Sequence, residues 1–195
     1  TVNPTANLSN DPPFKAQCDN QPTNLTLTSD VAGTQFTWTC TPSSANVTGF
    51  SDNAVPTTTL NQTLDNIGSD IETVTYHITA SANTCQGLTT NYTVTVYPTA
   101  TVTNTPPSQE QCDGLNTNVV LTSDVAGTQY TWTCSPSSGN ITGWSDQPTL
   151  TGSILQTLDN IGYNTETVTY HLVPSANGCT GTPANYLITV YPTPD

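Results

Sequence analysis

The strongest constraint on this chain is that its sequence consists of one module written twice. Whole blocks recur 94 residues apart, among them QTLDNIG at 62–68 and again at 156–162. The same offset relates all six cysteines, which form the pairs Cys18/Cys112, Cys40/Cys134 and Cys85/Cys179. A close repeat of this length predicts two copies of one domain. We place them at residues 1–98 and 99–195.

The segment VNPT at 2–5 resembles the endings of both copies. Each copy closes with VYPT, at 96–99 and at 190–193. The opening residues therefore look like the tail of a preceding module. On this pattern we expect a two-module piece of a longer array.

Alternation of apolar residues with threonine predicts that each copy is built from β-strands. Phe36, Trp38 and Cys40 alternate with threonines, as do the apolar residues of 74–79 and 92–96. A period of two with one apolar face is typical of antiparallel sheets that bury one side. About seven such strands, including an opening strand at 6–9 or 101–104, predict an all-β fold. We expect two tandem immunoglobulin-like sandwiches.

The charge balance excludes several classes of function. The chain has 14 acidic residues against a single Lys or Arg, for a net charge of −13. A chain with one basic residue cannot neutralise a row of phosphates, so nucleic acid is excluded as a partner. No apolar run approaches the roughly 20 residues that span a bilayer, so membrane insertion is not expected.

Several motifs resemble one family of extracellular repeats. VAGTQFTWT at 31–39, VTYHITASANTCQG at 74–87 and TVTVYPT at 93–99 are similar to PKD-like repeats of large secreted proteins from Bacteroidetes-type bacteria. The resemblance implies an immunoglobulin-like fold and tandem arrays in cell-surface adhesins, including gliding adhesins exported by the type IX secretion system. The chain departs from that pattern at Cys40 and Cys134, where valine is usual.

Six cysteines in a chain of this kind suggest an oxidising compartment, with several pairings open. Cys18 and Cys40 are expected at one end of a sandwich, which allows a bond between them and a copy at Cys112–Cys134. Cys18 could instead bond Cys179 of the next module and lock the array. The resemblance suggests a third pairing, Cys18–Cys85. A further alternative leaves Cys40 as a buried free thiol.

Two kinds of residue are candidates for ligand contact. Phe50 and Trp144 occupy the same turn, and an aromatic side chain there would either stack on a sugar or a neighbouring module, or cap the core. Loop carboxylates can hold Ca²⁺, although no complete calcium loop is present and aspartate is also ordinary in turns. The weak calcium candidates are Asp30, Asp65, Asp124 and Asp159. No other metal or cofactor is expected.

No arrangement of residues predicts catalysis. Each copy has one histidine, His77 or His171, on the threonine face of a strand, with no nucleophile motif. The sequence therefore predicts repeat modules of a long extracellular filament or cell-surface adhesin. Their expected partners are neighbouring modules, surface glycans or other copies of the filament. The alternatives are a carbohydrate-binding module, with Trp144 beside Asp146 and Asn140, or accessory domains of a secreted enzyme.

Overall fold

A computed structural model describes residues 3–193 of the chain. They form two compact units that divide between Pro98 and Thr99, here called module 1 and module 2. The secondary-structure elements of the described range are all β-strands. None of these residues forms a helix that could cross a membrane. Val2, the first residue of the VNPT segment, lies outside the described residues.

Module 1 is assembled from three groups of strands. The main sheet has the order β1-β10-β9-β4-β6, beside a three-stranded sheet β2-β8-β5 and the pair β3-β7. β1 runs parallel to β10, and the other pairings are antiparallel. The strands are β1 (Phe14–Cys18), β2 (Gln21–Pro22), β3 (Leu25–Thr26), β4 (Gln35–Pro42), β5 (Val47–Thr48), β6 (Asn53–Thr57), β7 (Thr59–Leu60), β8 (Thr63–Asn66), β9 (Glu72–Ala82) and β10 (Cys85–Tyr97).

Module 2 repeats this plan with one interruption. Its main sheet has the order β11-β20-β18-β13-β15, with β19 also paired to β18, beside the pairs β12-β16 and β14-β17. Residues 181–183 break the last strand, which is continuous in module 1, at Pro183, a residue without an N–H to donate. The strands are β11 (Ser108–Cys112), β12 (Val119–Val120), β13 (Gln129–Pro136), β14 (Ile141–Thr142), β15 (Gln147–Thr151), β16 (Ser153–Ile154), β17 (Asp159–Asn160), β18 (Glu166–Ala176), β19 (Cys179–Thr180) and β20 (Ala184–Tyr191).

The core of each module lies between the main sheet and the smaller strands. Along β9 the residues alternate between buried and partly exposed, so its apolar side chains face inward and its threonines face outward. Trp38 and Tyr76 of the main sheet pack edge to face, with ring centroids 6.4 Å apart. Leu60 and Leu64 of the smaller strands join the same cluster. Module 2 has a separate cluster around Trp132 and Tyr170.

A turn beside each core needs glycine. Gly49 has a φ of +81°, and a Cβ at this position would lie 2.0 Å from the carbonyl oxygen of Thr63. Gly143 meets Thr157 in the same way. Only glycine combines a left-handed backbone with this close approach.

The predicted all-β, immunoglobulin-like fold is confirmed, and two details of the strand prediction are wrong. The expected opening strands at 6–9 and 101–104 are single bridges, Leu8 to Ser29 and Val102 to Ser123. The first strand is instead β1, which the alternation missed because its Phe14 is exposed. This difference changes where Cys18 lies.

Candidate functional site

The cysteines at the two ends of each module are the most informative side chains of the structure. We call the end where the chain leaves a module, at Tyr97 or Tyr191, its trailing end. Cys18 is paired with Tyr97 across the β1–β10 ladder, and the next N–H, that of Asp19, donates to the Tyr97 carbonyl at 2.9 Å. Cys18 therefore lies at the trailing end of module 1.

Cys112 occupies the same place in module 2. It is paired with Tyr191, and the N–H of Asp113 donates to the Tyr191 carbonyl at 3.0 Å. The structure thus repeats a cysteine at the trailing end of both modules.

A second pair of equivalent cysteines, Cys85 and Cys179, lies at the opposite end, where the chain comes into each module. We call this the leading end. In module 2 Cys179 follows the turn after Ala176, and the nearby Thr182 N–H donates to the carbonyl of Ala100 at 2.8 Å. Ala100 is among the first residues of that module, so Cys179 marks its leading end.

Cys85 has the same relation to the start of module 1. It is paired with Ala82 across the β9–β10 turn. A Cβ at Gly87, two residues on, would lie 1.8 Å from the Ala6 carbonyl oxygen. The opening segment therefore passes directly beside this turn, as it does in module 2.

Cysteines at equivalent positions of the two modules differ in oxidation state. Cys18 and Cys179 are disulfide-bonded, whereas Cys40, Cys85, Cys112 and Cys134 are free thiols. The predicted disulfide is therefore present. The predicted pairings Cys18–Cys40, with its copy Cys112–Cys134, and Cys18–Cys85 are wrong, and Cys18–Cys179 is the alternative compatible with these states.

Geometry explains why bonds within a module do not form. Cys85 lies 12 residues before Tyr97 on β10, which places it about 40 Å from Cys18 at the usual strand rise. β10 and β9 lie between β1 and β4, so the strands of Cys18 and Cys40 are about 14 Å apart. Disulfides need Cα atoms within roughly 7 Å.

Cys40 on β4 and Cys134 on β13 are thiols that hydrogen-bond to a neighbouring polar turn. The Cys40 Sγ donates to the Ser51 carbonyl at 3.2 Å, and its N–H donates to Asp52 Oδ1 at 2.8 Å. Burial, and then the charge of Asp52, raise the pKa of the Cys40 thiol to about 12. Burial and Asp146 do the same for Cys134. Both thiols therefore stay protonated and unreactive at neutral pH.

The two histidines belong to hydrogen-bonded rows on the outer face. His77 Nδ1 lies 2.8 Å from Asn91 Oδ1 and its Nε2 lies 3.0 Å from Thr41 Oγ1. His171 has matching contacts, to Asn185 and Ser135. In each histidine the two ring nitrogens thus contact an amide oxygen and a hydroxyl, with no carboxylate among these partners to complete a catalytic triad.

The candidate aromatic contacts pack against the cores. Phe50 and Trp144 are each partly buried against the cluster of their own module. The Trp144 Nε1–H donates to the Ile141 carbonyl at 3.1 Å. Asp146, its expected companion in a sugar site, accepts the Cys134 N–H at 2.8 Å.

The calcium candidates do not gather. Asp124 Oδ1 accepts the Thr101 N–H at 2.8 Å and Oδ2 its hydroxyl at 2.7 Å. Asp65 and Asp159 lie on strands at the other side of each core. Among residues 3–193 no three His, Cys, Asp or Glu side chains are grouped so as to hold a metal ion. Calcium binding at Asp30 or the other three aspartates stays a prediction.

One buried glutamate, Glu72 in module 1 and Glu166 in module 2, stabilises each module. The Ser43 hydroxyl donates to one oxygen of Glu72, and the Ser44 hydroxyl donates to the other at 2.6 Å. These hydrogen bonds lower the pKa of Glu72 despite its burial. Hydrogen bonds from Ser137 and Ser138 lower the pKa of Glu166 in the same way.

These glutamates predict a loss of stability in acid. A lowered folded-state pKa stabilises the fold above the unfolded pKa of about 4.3, and that contribution disappears as pH falls through the folded value. Urea midpoints should therefore fall less between pH 7 and pH 3 in Glu166→Gln than in the parent. Glu110→Gln, at an exposed position of module 2, is the control. A pH dependence unchanged in Glu166→Gln would contradict the assignment.

A groove lies on the outer face of module 2, beside His171. Its volume is about 830 Å³, and polar side chains such as Thr131, Gln147 and His171 line it together with Asp146 and Pro183. The equivalent groove of module 1, around His77, measures about 430 Å³. The break in the last strand at 181–183 accompanies the wider groove.

Fold and cysteine positions together define two tandem immunoglobulin-like β-sandwich modules. The model of the PKD-like domain family matches residues 15–100 and 109–194, so the chain belongs to that family. No curated protein matches the chain.

Solved structures to which the chain is similar include cadherin and titin fragments. Drosophila N-cadherin EC1-4 has a TM-score of 0.42 at 10% identity, covering 98% of this chain and 50% of that chain. Human mucin-like protocadherin EC1-2 has a TM-score of 0.41 at 11% identity, and the match covers 97% of this chain and 98% of that chain. An I-band fragment of titin has a TM-score of 0.47 at 11% identity, and the match covers 98% of this chain and 66% of that chain.

Proposed function

We propose that the two modules are non-catalytic spacers of a long extracellular filament or adhesin, joined in series by a Cys18–Cys179 disulfide. The observation that carries the proposal is the placement of the two bonded cysteines. One lies at the trailing end of module 1 and the other at the leading end of module 2, while all other cysteines are thiols.

The chain path supports this pairing without any further contact. Cys18 is the ladder partner of Tyr97, and Cys179 belongs to the turn beside Ala100. Three residue steps separate Tyr97 from Ala100, a span of at most about 11 Å. This short connector between the modules is therefore compatible with a bond between Cys18 and Cys179.

A disulfide across the connector suits a spacer. Each module has its own core, so the bond is not needed to complete either fold. Its effect is to restrain the connector, and it persists only in an oxidising compartment. The net charge of −13 keeps neighbouring copies apart in solution.

The more specific setting follows from the sequence resemblance. We place the modules in a cell-surface adhesin of a Bacteroidetes-type bacterium, exported by the type IX system and serving adhesion, including gliding. Supporting this is the similarity of the motifs at 31–39 and 74–87 to such repeats.

The pairing is tested by cutting the connector. A specific protease site inserted between Pro98 and Thr99 leaves two pieces joined by the Cys18–Cys179 bond alone. After cleavage, the unreduced chain should migrate as one species of 20.6 kDa plus the inserted site, and reductant should release two halves.

Cys18→Ser should give two halves without reductant, and Cys40→Ser should behave like the parent. Two halves from the unreduced parent would overturn the pairing.

A second candidate function is sugar binding in the groove of module 2. Threonine, glutamine and histidine side chains line this groove beside Asp146, and such hydrogen-bond donors and acceptors suit sugar hydroxyls. Glycan-array binding by the chain, lost in Gln147→Ala and retained in the module 1 counterpart Asn53→Ala, would support it. Binding unaffected by Gln147→Ala would exclude this groove.

A further inference from the structure

We propose that Cys112 and Cys85 are the two unfilled halves of the same disulfide pattern, and that Cys112 bonds the Cys85-position cysteine of the module that follows it. The inference rests on the Cys18–Cys179 pairing proposed above. It extends that pairing from one junction to every junction between modules of this kind.

The first argument is the equivalence of the trailing-end cysteines. Cys112 is 94 residues after Cys18, and both are the last residues of strands that run parallel to the final strand of their module. Both are followed by an N–H that donates to the carbonyl of the closing tyrosine, at 2.9 and 3.0 Å. A bond made at one position is therefore sterically available at the other.

The second argument is the equivalence of the leading-end cysteines. Cys85 and Cys179 each follow a two-residue turn after an alanine. The opening segment of the module packs beside both turns, against Gly87 in module 1 and Gly181 in module 2. Cys85 is thus placed to bond a trailing-end cysteine of a preceding module, as Cys179 bonds Cys18 of module 1 in the proposed pairing.

The third argument is accessibility. Cys112 is an exposed free thiol and Cys85 a partly exposed one, whereas the bonded Cys179 is only 5% exposed. Cys40 and Cys134 differ from these two, because burial and a neighbouring carboxylate keep their thiols protonated. Oxidation should therefore select Cys112 and Cys85 and leave the other two thiols unchanged.

The bond requires an external oxidant, which we take to be a small-molecule disulfide such as oxidised glutathione. The Cys112 thiol gives up its proton and attacks one glutathione sulfur, and one reduced glutathione leaves. The Cys85 thiol of the other module then gives up its proton, attacks the Cys112 sulfur and releases a second reduced glutathione. Two thiols are oxidised and one glutathione disulfide is reduced.

The sharpest test is a four-module chain in which Thr193 is followed directly by Ala6 of a second copy. This join reads Tyr-Pro-Thr-Ala and so reproduces the native connector at 97–100. After oxidation with glutathione disulfide, peptide mapping without reduction should find Cys112 of the first copy linked to Cys85 of the second. Cys18–Cys179 should be found within each copy, with Cys40 and Cys134 reduced.

Cys112→Ser in the first copy should remove the new linkage and leave Cys18–Cys179 intact, and Cys134→Ser should remove neither. The inference is overturned if Cys112 and Cys85 stay reduced, carry only glutathione, or pair with other cysteines while Cys18–Cys179 forms. Absence of Cys18–Cys179 itself would instead overturn the proposed function. The two failures are therefore distinguishable in one map.

The isolated two-module chain provides a second arm. At high concentration with the same oxidant it should form head-to-tail covalent oligomers through Cys112 of one copy and Cys85 of the next. Linkage in the four-module chain without oligomers from the isolated chain assigns the bond to modules within one polypeptide. Linkage in both means that separate copies also join.

Discussion

Pulled from its two ends, the oxidised chain should extend by only a small part of its contour length. A Cys18–Cys179 bond carries the force past residues 19–178, so these 160 residues are not stretched. Fully extended they would span about 540 Å. With reductant present, single-molecule force measurements should show two unfolding events of about 300 Å each, one for each module.

The matched variants separate the disulfide from other effects of redox treatment. Cys18→Ser should show both unfolding events without reductant, whereas Cys40→Ser should resemble the oxidised parent. Two complete unfolding events in the oxidised parent would contradict the pairing. A spacer that cannot lengthen under load keeps whatever it carries at a constant distance from its base.

Trp38→Ala should destabilise module 1 by about 3–5 kcal/mol and leave module 2 unchanged. Trp38 is 6% exposed, packs edge to face on Tyr76, and donates its Nε1–H to the Ser51 carbonyl at 3.1 Å. The loss is a large share of the roughly 5–15 kcal/mol that stabilises a domain. Calorimetry of the reduced chain should therefore show one early and one unshifted transition.

Hydrogen exchange should assign the early transition to residues of module 1. Trp132→Ala should reverse the order, and Val55→Ala, at a position 72% exposed, should shift neither transition. A common shift of both modules in Trp38→Ala would mean that the two cores are energetically one.

The strands of the core were predictable because their signal is local. The alternation around Trp38 and Tyr76 reflects a side-chain period of two, which any strand with one buried face must show. Short strands such as β5 and β14 have only two residues each, too few to show a period of two. β1 was missed for a different reason, since its pairing partner is the last strand of the module and its own sequence lacks alternation.

The cysteine site was predictable only as a set of alternatives. Placing Cys18 beside Cys40 assumed that Cys18 begins the second strand of the sandwich, whereas it ends β1, which pairs with β10. The stabilising hydrogen bonds of Glu72 also join segments nearly 30 residues apart. Neither relation has a signature in the residues next to it.

Residue order alone determined the duplication, the all-β class and the acidic, threonine-rich surface, because repeats, periodicity and charge are properties of neighbouring residues. Tertiary structure decided which cysteine lies at which end of a module. That outcome depends on a parallel ladder between β1 and β10, formed by segments about 80 residues apart, whose register no local pattern encodes.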